Sequence, residues 1–189
     1  MRGLALLLAG LMPLAAHAQE ATRAEGLAAW DRIYAVASHP RCTNCHVGDS
    51  GRPRWAALGY GADPAHGMNI RAGDSRIGAE TIPCRTCHIS TDRANLIPHA
   101  APQVADAWRL PPVALEWQGK ASAEICAKLR DPDRNDGFDI AGLAAHVRES
   151  AFVAWGFDPG AGRVAAPGDP ETLARDIEIW GAAGAPCTQ

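Results

Sequence analysis

The chain has 189 residues, with 21 acidic side chains against 18 Lys and Arg and a formal net charge of -3. That balance, with no stripe of Lys or Arg along any segment, excludes a phosphate-tracking surface, so nucleic acid is not an expected partner. Beyond the first 18 residues no apolar run is long enough to span a bilayer, and the remaining stretch, 19–189, suits one compact domain in a soluble chain.

The first 18 residues read as an address. Arg2 gives a positive start, Gly3 to Leu14 form a short apolar stretch, and Ala16-His17-Ala18 is a small-x-small cleavage site, so a signal peptide cut after Ala18 is expected. The apolar stretch falls short of the roughly 20 residues that cross a bilayer, which separates this reading from a membrane anchor. Export places the mature chain in the periplasm. All six cysteines lie in that part, and an oxidising compartment demands a covalent fate for each.

From Glu20 to Ala37 the apolar residues Leu27, Trp30, Ile33, Tyr34 and Ala37 recur at three- and four-residue steps and predict an amphipathic helix that ends before His39-Pro40. Residues 47 to 120 carry eight glycines and seven prolines and no sustained period, so long regular elements are not expected there. A structureless stretch of this length points to something other than protein filling part of the core. Helical pattern returns with Ser122 as N-cap before Ala123 to Arg130, then from about Asp139 to Ser150. A last helix starts at Asp169-Pro170 and runs to Trp180 before Gly181. Trp155-Gly-Phe-Asp-Pro-Gly160 reads as a turn-rich loop packed by its aromatics.

Cys42-Thr43-Asn44-Cys45-His46 and Cys84-Arg85-Thr86-Cys87-His88 both spell C-x-x-C-H, the attachment signature of c-type haem. On a helical turn the two thiols reach two vinyl positions on one edge of a porphyrin, and the adjoining histidine turns under the ring as iron ligand. The expectation is two covalent haem c groups, held by Cys42, Cys45, Cys84 and Cys87, with His46 and His88 as proximal ligands. A four-cysteine zinc site fits less well: zinc ribbons separate their pairs by roughly 15 to 20 residues, whereas 38 lie between Cys45 and Cys84. A thioredoxin-like pair lacks its βαβ context. Only 37 residues separate His46 from Cys84, too few for two independent cytochrome domains, so both haems are expected in one fold. Their apolar faces would let the loop segment with Trp55, Trp108 and Trp117 pack where it could not build a core alone.

Candidate distal ligands are His39, His66, His99, His146 and Met68, since imidazole and thioether both serve cytochromes. His66-Gly67-Met68 lies between the attachment motifs and is preferred. His146 comes second, on an inward-looking pattern with Leu143 and Val147. His39 is too near Cys42 to reach the far face of its own haem easily but could serve the neighbouring one. Arg71, Arg85 and Arg109 could pair haem propionates or be solvated surface charge. Asp131-x-Asp133-x-Asn135 resembles the opening of a calcium loop, but Asp136 and Gly142 stand where that loop needs glycine and glutamate, so an acidic turn is expected. Cys126 and Cys187 remain, and a disulfide between them is expected.

Taken together, His39-Pro-Arg-Cys-x-x-Cys-His46, His66-x-Met-Asn-x-Arg71, Cys84-x-x-Cys-His88, Trp108-x-Leu-Pro-Pro112, His146-Val and Trp155-Gly-x-x-Pro-Gly160 resemble a family of small bacterial dihaem cytochromes. Its members often carry the name isoquinoline 1-oxidoreductase subunit. The resemblance covers nearly the whole mature chain and implies a redox partner protein, a molybdenum hydroxylase. The fold expected is mainly α with extensive irregular loops, a cytochrome c-like dihaem domain packed around two covalent haems. The function expected is periplasmic electron transfer without independent catalysis. The alternatives are a dihaem peroxidase-like enzyme or a gas-binding sensor with one open haem site.

Overall fold

The structure, a computed structural model, describes residues 21–58, 65–93, 96–97, 100–160 and 162–188. The expected leader with its cut after Ala18 lies outside the described residues, as does His99. Among the described residues the fold is mainly α, with two isolated β-bridges, Arg54 with Ala65 and Ser90 with Val104, as its only extended pairing. The helices are α1 (Arg23–Ala37), α2 (Pro40–Thr43), α3 (Ser122–Leu129), α4 (Ile140–Glu149), α5 (Ala151–Phe157) and α6 (Pro170–Ala182). None is long and apolar enough to cross a membrane.

Helix α1 begins where Thr22 accepts from the Glu25 amide while the Glu25 carboxylate accepts from the Thr22 amide, a reciprocal cap that satisfies two otherwise orphan donors. Its buried face, Ala29, Trp30, Ile33 and Ala37, follows the periodicity read from the sequence. That face packs on α3 and α6, and α4 joins them through α6 in one core holding Ile125, Cys126, Leu143, Ala144, Val147, Ile177 and Trp180. Trp30 and Trp180 are fully buried with ring centres 5.3 Å apart, a pairing that adds about 0.5–1.5 kcal/mol to their area burial. Neither indole N–H is stranded: Trp30 donates to Ser122 Oγ at 2.8 Å and Trp180 to the Pro186 carbonyl at 2.9 Å. Arg32 on α1 forks onto Asp176 on α6, with Nη2 to Oδ1 at 2.6 Å.

Three boundaries differ from expectation, each for a local reason. Ser122 is the first residue of α3 instead of its cap, because its hydroxyl is engaged by Trp30 and Thr188; Glu124 accepts from the Ala121 amide in its place. The segment at Trp155 is helical, since Ser150 closes α4 and at once caps α5 by accepting from the Val153 amide. Helix α6 runs through Gly181 to Ala182. Gly181 is there for packing: a Cβ on it would collide with Ile140 Cγ2 of α4.

Cys126 and Cys187 are joined as expected, with Cα atoms 5.7 Å apart, and the bridge ties the C-terminal tail to α3. By chain entropy a closed loop of this size contributes about 4 kcal/mol. Among the described residues, the helical elements within 47 to 120 are the short 3₁₀ turns Gly67–Asn69, Cys84–Thr86 and Val113–Leu115. They fold round a second, small apolar cluster of Val47, Ala72 and Leu110. Across it Arg76 donates from Nε and Nη2 to the Pro111 carbonyl at 2.9 and 2.7 Å, and its own carbonyl accepts from the Leu110 amide at 2.9 Å. The acidic turn keeps its plain reading. Asp131 Oδ1 accepts from the Asp133 amide, and the Asn135 side chain donates to the Leu129 and Phe138 carbonyls.

The close approach at Gly181 generates a test. Gly181→Ala should destabilise the fold by about 1–3 kcal/mol through overpacking, and Ile140→Ala in the same chain should restore part of that loss. Denaturant midpoints of the two single variants and the double variant read it; an additive double variant would show that the two residues do not share the contact.

Candidate haem-attachment site

Both C-x-x-C-H segments are helical turns. In the first, α2 opens with Pro40 in the first turn and His39 as cap, whose Nδ1 accepts from the Arg41 amide at 3.2 Å; the turn closes with the His46 amide donating to the Cys42 carbonyl at 3.1 Å. In the second, a 3₁₀ turn follows Pro83, and the His88 amide donates to the Cys84 carbonyl at 2.9 Å. Each turn therefore sets its two cysteines three residues apart on one edge of a single helical turn. All four thiols are unbridged; Cys42 and Cys84 are half-buried, Cys45 and Cys87 exposed. The first motif is also pinned from inside. Asn44, 3 % exposed, donates through its amide to the Ala56 carbonyl, and its own carbonyl accepts from the Arg54 amide.

The two histidines match each other in a finer respect. His46 Nδ1 donates to the Leu115 carbonyl at 3.0 Å and His88 Nδ1 to the Pro102 carbonyl at 3.0 Å. A carbonyl oxygen only accepts, so in both rings the proton sits on Nδ1 and the Nε2 lone pair is left free to bind a metal. Each ring is flanked by a tryptophan: Trp117 lies 3.5 Å from His46 at 3°, and Trp108 3.9 Å from His88 at 28°. Burial holds the His46 imidazolium down to about 4, against the opposing effect of the Leu115 hydrogen bond, and burial lowers His88 in the same sense. Both rings are thus neutral near pH 7, the form a metal requires.

One candidate distal residue, His66, lies against a motif histidine. The His66 ring centre is 6.1 Å from that of His88 and 5.5 Å from Trp55, and its Nδ1 donates to the Gly67 carbonyl, which again leaves Nε2 free. Arg52 fixes the backbone there, with Nη2 to the His66 carbonyl at 2.8 Å, while the His66 amide donates to Pro53. His146 stands close enough to His46 for its charge to disfavour a second proton there. It does not look inward with Leu143 and Val147, which are buried; His146 is exposed on the flank of α4, stacked 5.2 Å from Phe138. The cause is geometric: three residues on from Leu143 fall some 60° short of a full turn, at the edge of the apolar stripe. Met68 is 75 % exposed with φ +55°, and His66, not Met68, is the residue of this segment beside a motif histidine. Arg109 is taken by Asp136 at 2.9 Å, and Arg71 donates to the Ser50 carbonyl.

Among the described residues no three or more His, Cys, Asp or Glu side chains converge as a metal site, so the two cysteine pairs do not assemble the tetrahedral cluster that zinc requires. Thiol exchange fits no better. Burial, reinforced by the neighbouring Cys45 thiol, pushes Cys42 up to about 12, opposite to the depressed value of a reactive dithiol. Sequence reasoning missed the Leu115 and Pro102 carbonyls, because a backbone acceptor leaves no mark in residue type. It missed the capping role of His39 as well, although the following proline is the signal that could have found it.

The low value at His46 sets a pH dependence. The unfolded imidazole takes a proton near pH 6.5 and the folded one not until about 4, so the unfolded chain binds more protons between those values and stability falls on acidification through that window. The denaturant midpoint of the haem-free polypeptide should therefore drop from pH 7 to pH 4.5, and His46→Gln should flatten the slope; an equally steep slope in the variant would assign it elsewhere. The chain matches no protein-family model, no curated protein and no solved structure.

Proposed function

We propose that this chain is an electron-transfer protein carrying two covalently attached c-type haems, one on Cys42 and Cys45 with His46, the other on Cys84 and Cys87 with His88. The observation that carries the reading is the duplicated local geometry: two C-x-x-C-H turns, each with its histidine amide on the first cysteine's carbonyl and its Nδ1 proton on a carbonyl from far along the chain. A carbonyl-oriented imidazole is what a proximal iron ligand needs. Cys42, Cys45, Cys84 and Cys87 would hold the groups as thioethers, each S–H adding across a vinyl C=C so that no leaving group is needed.

The residues present fit such a group in two further ways. The ring centres of His66 and His88 are 6.1 Å apart and each ring has its Nε2 lone pair free, so the two imidazoles could hold one iron between them. Large apolar side chains that are exposed in the polypeptide also cluster in the chain around the second motif: Ile77, Ile82, Ile89, Leu96 and Ile97. An apolar porphyrin face is a suitable cover for them. His66 is accordingly proposed as distal ligand to the haem of His88, and His146 to that of His46. When bound, each haem supplies a one-electron ferric–ferrous couple. The chain holds the imidazoles neutral and oriented and limits water at His46. Export to the periplasm and a molybdenum hydroxylase as electron donor rest on the leader and the family resemblance.

Mass spectrometry of the denatured protein, matured with the attachment machinery, should show two haem increments that acid-acetone does not extract; a bare polypeptide mass would falsify the reading. With both irons six-coordinate, the ferrous parent should bind little carbon monoxide. His66→Ala should turn one haem high-spin or water-ligated and open a carbon monoxide site, with His146→Ala doing the same at the other. Ready carbon monoxide binding by the parent would favour an open-site peroxidase or gas sensor over a carrier.

A further inference from the structure

Among the described residues, three buried side-chain N–H groups have no hydrogen-bond partner, Trp117 Nε1, Trp108 Nε1 and Arg54 Nε, beside one acceptor, Asn135 Oδ1. Each such donor costs about 1–3 kcal/mol when left unpaired, and folded proteins rarely leave one so. Their placement is not random. Trp117 and Trp108 are the two indoles stacked on the motif histidines, and the Arg54 amide donates to the Asn44 carbonyl inside the first motif. The other deeply buried indoles of the fold, Trp30 and Trp180, both have acceptors. The missing acceptors therefore belong with whatever occupies the two C-x-x-C-H sites. On the periphery of a haem the only strong acceptors are its two propionate carboxylates.

Resting on the dihaem reading, we propose that Trp117 and Trp108 each donate their indole N–H to a propionate of the haem whose histidine they stack on, with Arg54 adding a charged donor beside the first. One side chain then performs two tasks: its face sets the plane of the imidazole and its edge holds the carboxylate. A donor on a propionate offsets negative charge near the iron and favours the ferrous state, so its loss lowers the midpoint potential of that haem. These are positioning residues, since neither ligates iron.

The test is potentiometric titration of the holoprotein and of Trp117→Phe and Trp108→Phe, which keep a stacking ring and remove the N–H. Both variants should retain two haem increments and low-spin spectra. Trp117→Phe should lower one midpoint potential and leave the other in place, Trp108→Phe should do the reverse, and in each the propionate bending band in resonance Raman should shift. Unmoved potentials and an unmoved propionate band in both variants would overturn the proposal and assign the N–H groups to water. Should a phenylalanine variant fail to accumulate, benzothienylalanine at the same position, isosteric with tryptophan and lacking only the N–H, gives the same comparison. A bare polypeptide mass in the parent would instead sink the haem reading, and this inference with it.

Discussion

The hydrogen bond from His46 Nδ1 to the Leu115 carbonyl joins two parts of the chain that no regular element connects. On one side is the first C-x-x-C-H turn, placed directly after α1. On the other is the turn Val113–Leu115, which runs into Trp117 and then α3. Trp117 and Gln118 send their amides back to the His46 carbonyl at 3.0 and 3.2 Å, so backbone and side chain of one residue are held by a single short segment. Leu115 is itself part of the helical core. The imidazole is thereby referenced to packed helices instead of to the loops around it. For a group whose value depends on where one nitrogen points, that difference is decisive.

How far the sequence disclosed this architecture depends on how local each cause is. Helix α1 was legible because its apolar stripe lies within its own residues, while its start at Arg23 instead of Glu20 is set by the Thr22–Glu25 cap, which was not read. The Asp169-Pro170 start of α6 was legible for the same reason, whereas its end was not: Gly181 looks like a stop and serves instead as clearance for Ile140, a residue on another helix. Ser122 misled in the same way, its hydroxyl being claimed by Trp30 from 92 positions away. The burial of Leu143 and Val147 followed the pattern, but the position of His146 at the stripe's edge is a matter of angle that residue type does not encode. At the site, the cysteines and adjoining histidines stood out by spacing alone. Their supports are carbonyls 14 and 69 residues downstream, and only the folded path brings those into reach.

The chain divides its stabilisation unevenly. Helices α1, α3, α4 and α6 bury two tryptophans and a set of Ile, Leu and Val, and a disulfide closes the tail over them. Among its described residues the segment 47–120 has one small apolar cluster of its own, Val47, Ala72 and Leu110, and it relies on side chains that reach backbone carbonyls: Arg52 to His66, Arg71 to Ser50, Arg76 to Pro111. Arginine suits this task because one planar guanidinium can meet several acceptors without a counter-charge. Burial lowers the Arg76 value somewhat, but a guanidinium remains charged throughout. Such a segment keeps its shape by pinning individual turns, and it tolerates apolar side chains at its surface around the second motif.

Ser150 belongs to two helices at once, ending α4 and starting α5 with a single extended residue between them. On the α4 side of it lies His146, whose charge is felt at His46; on the α5 side lies Phe152, set edge-on 4.8 Å from Trp108, which in turn covers His88. The surroundings of the two motif histidines therefore meet at a single residue: the α4 flank near the first and the α5 ring that backs the second are set at their mutual angle by the backbone of Ser150.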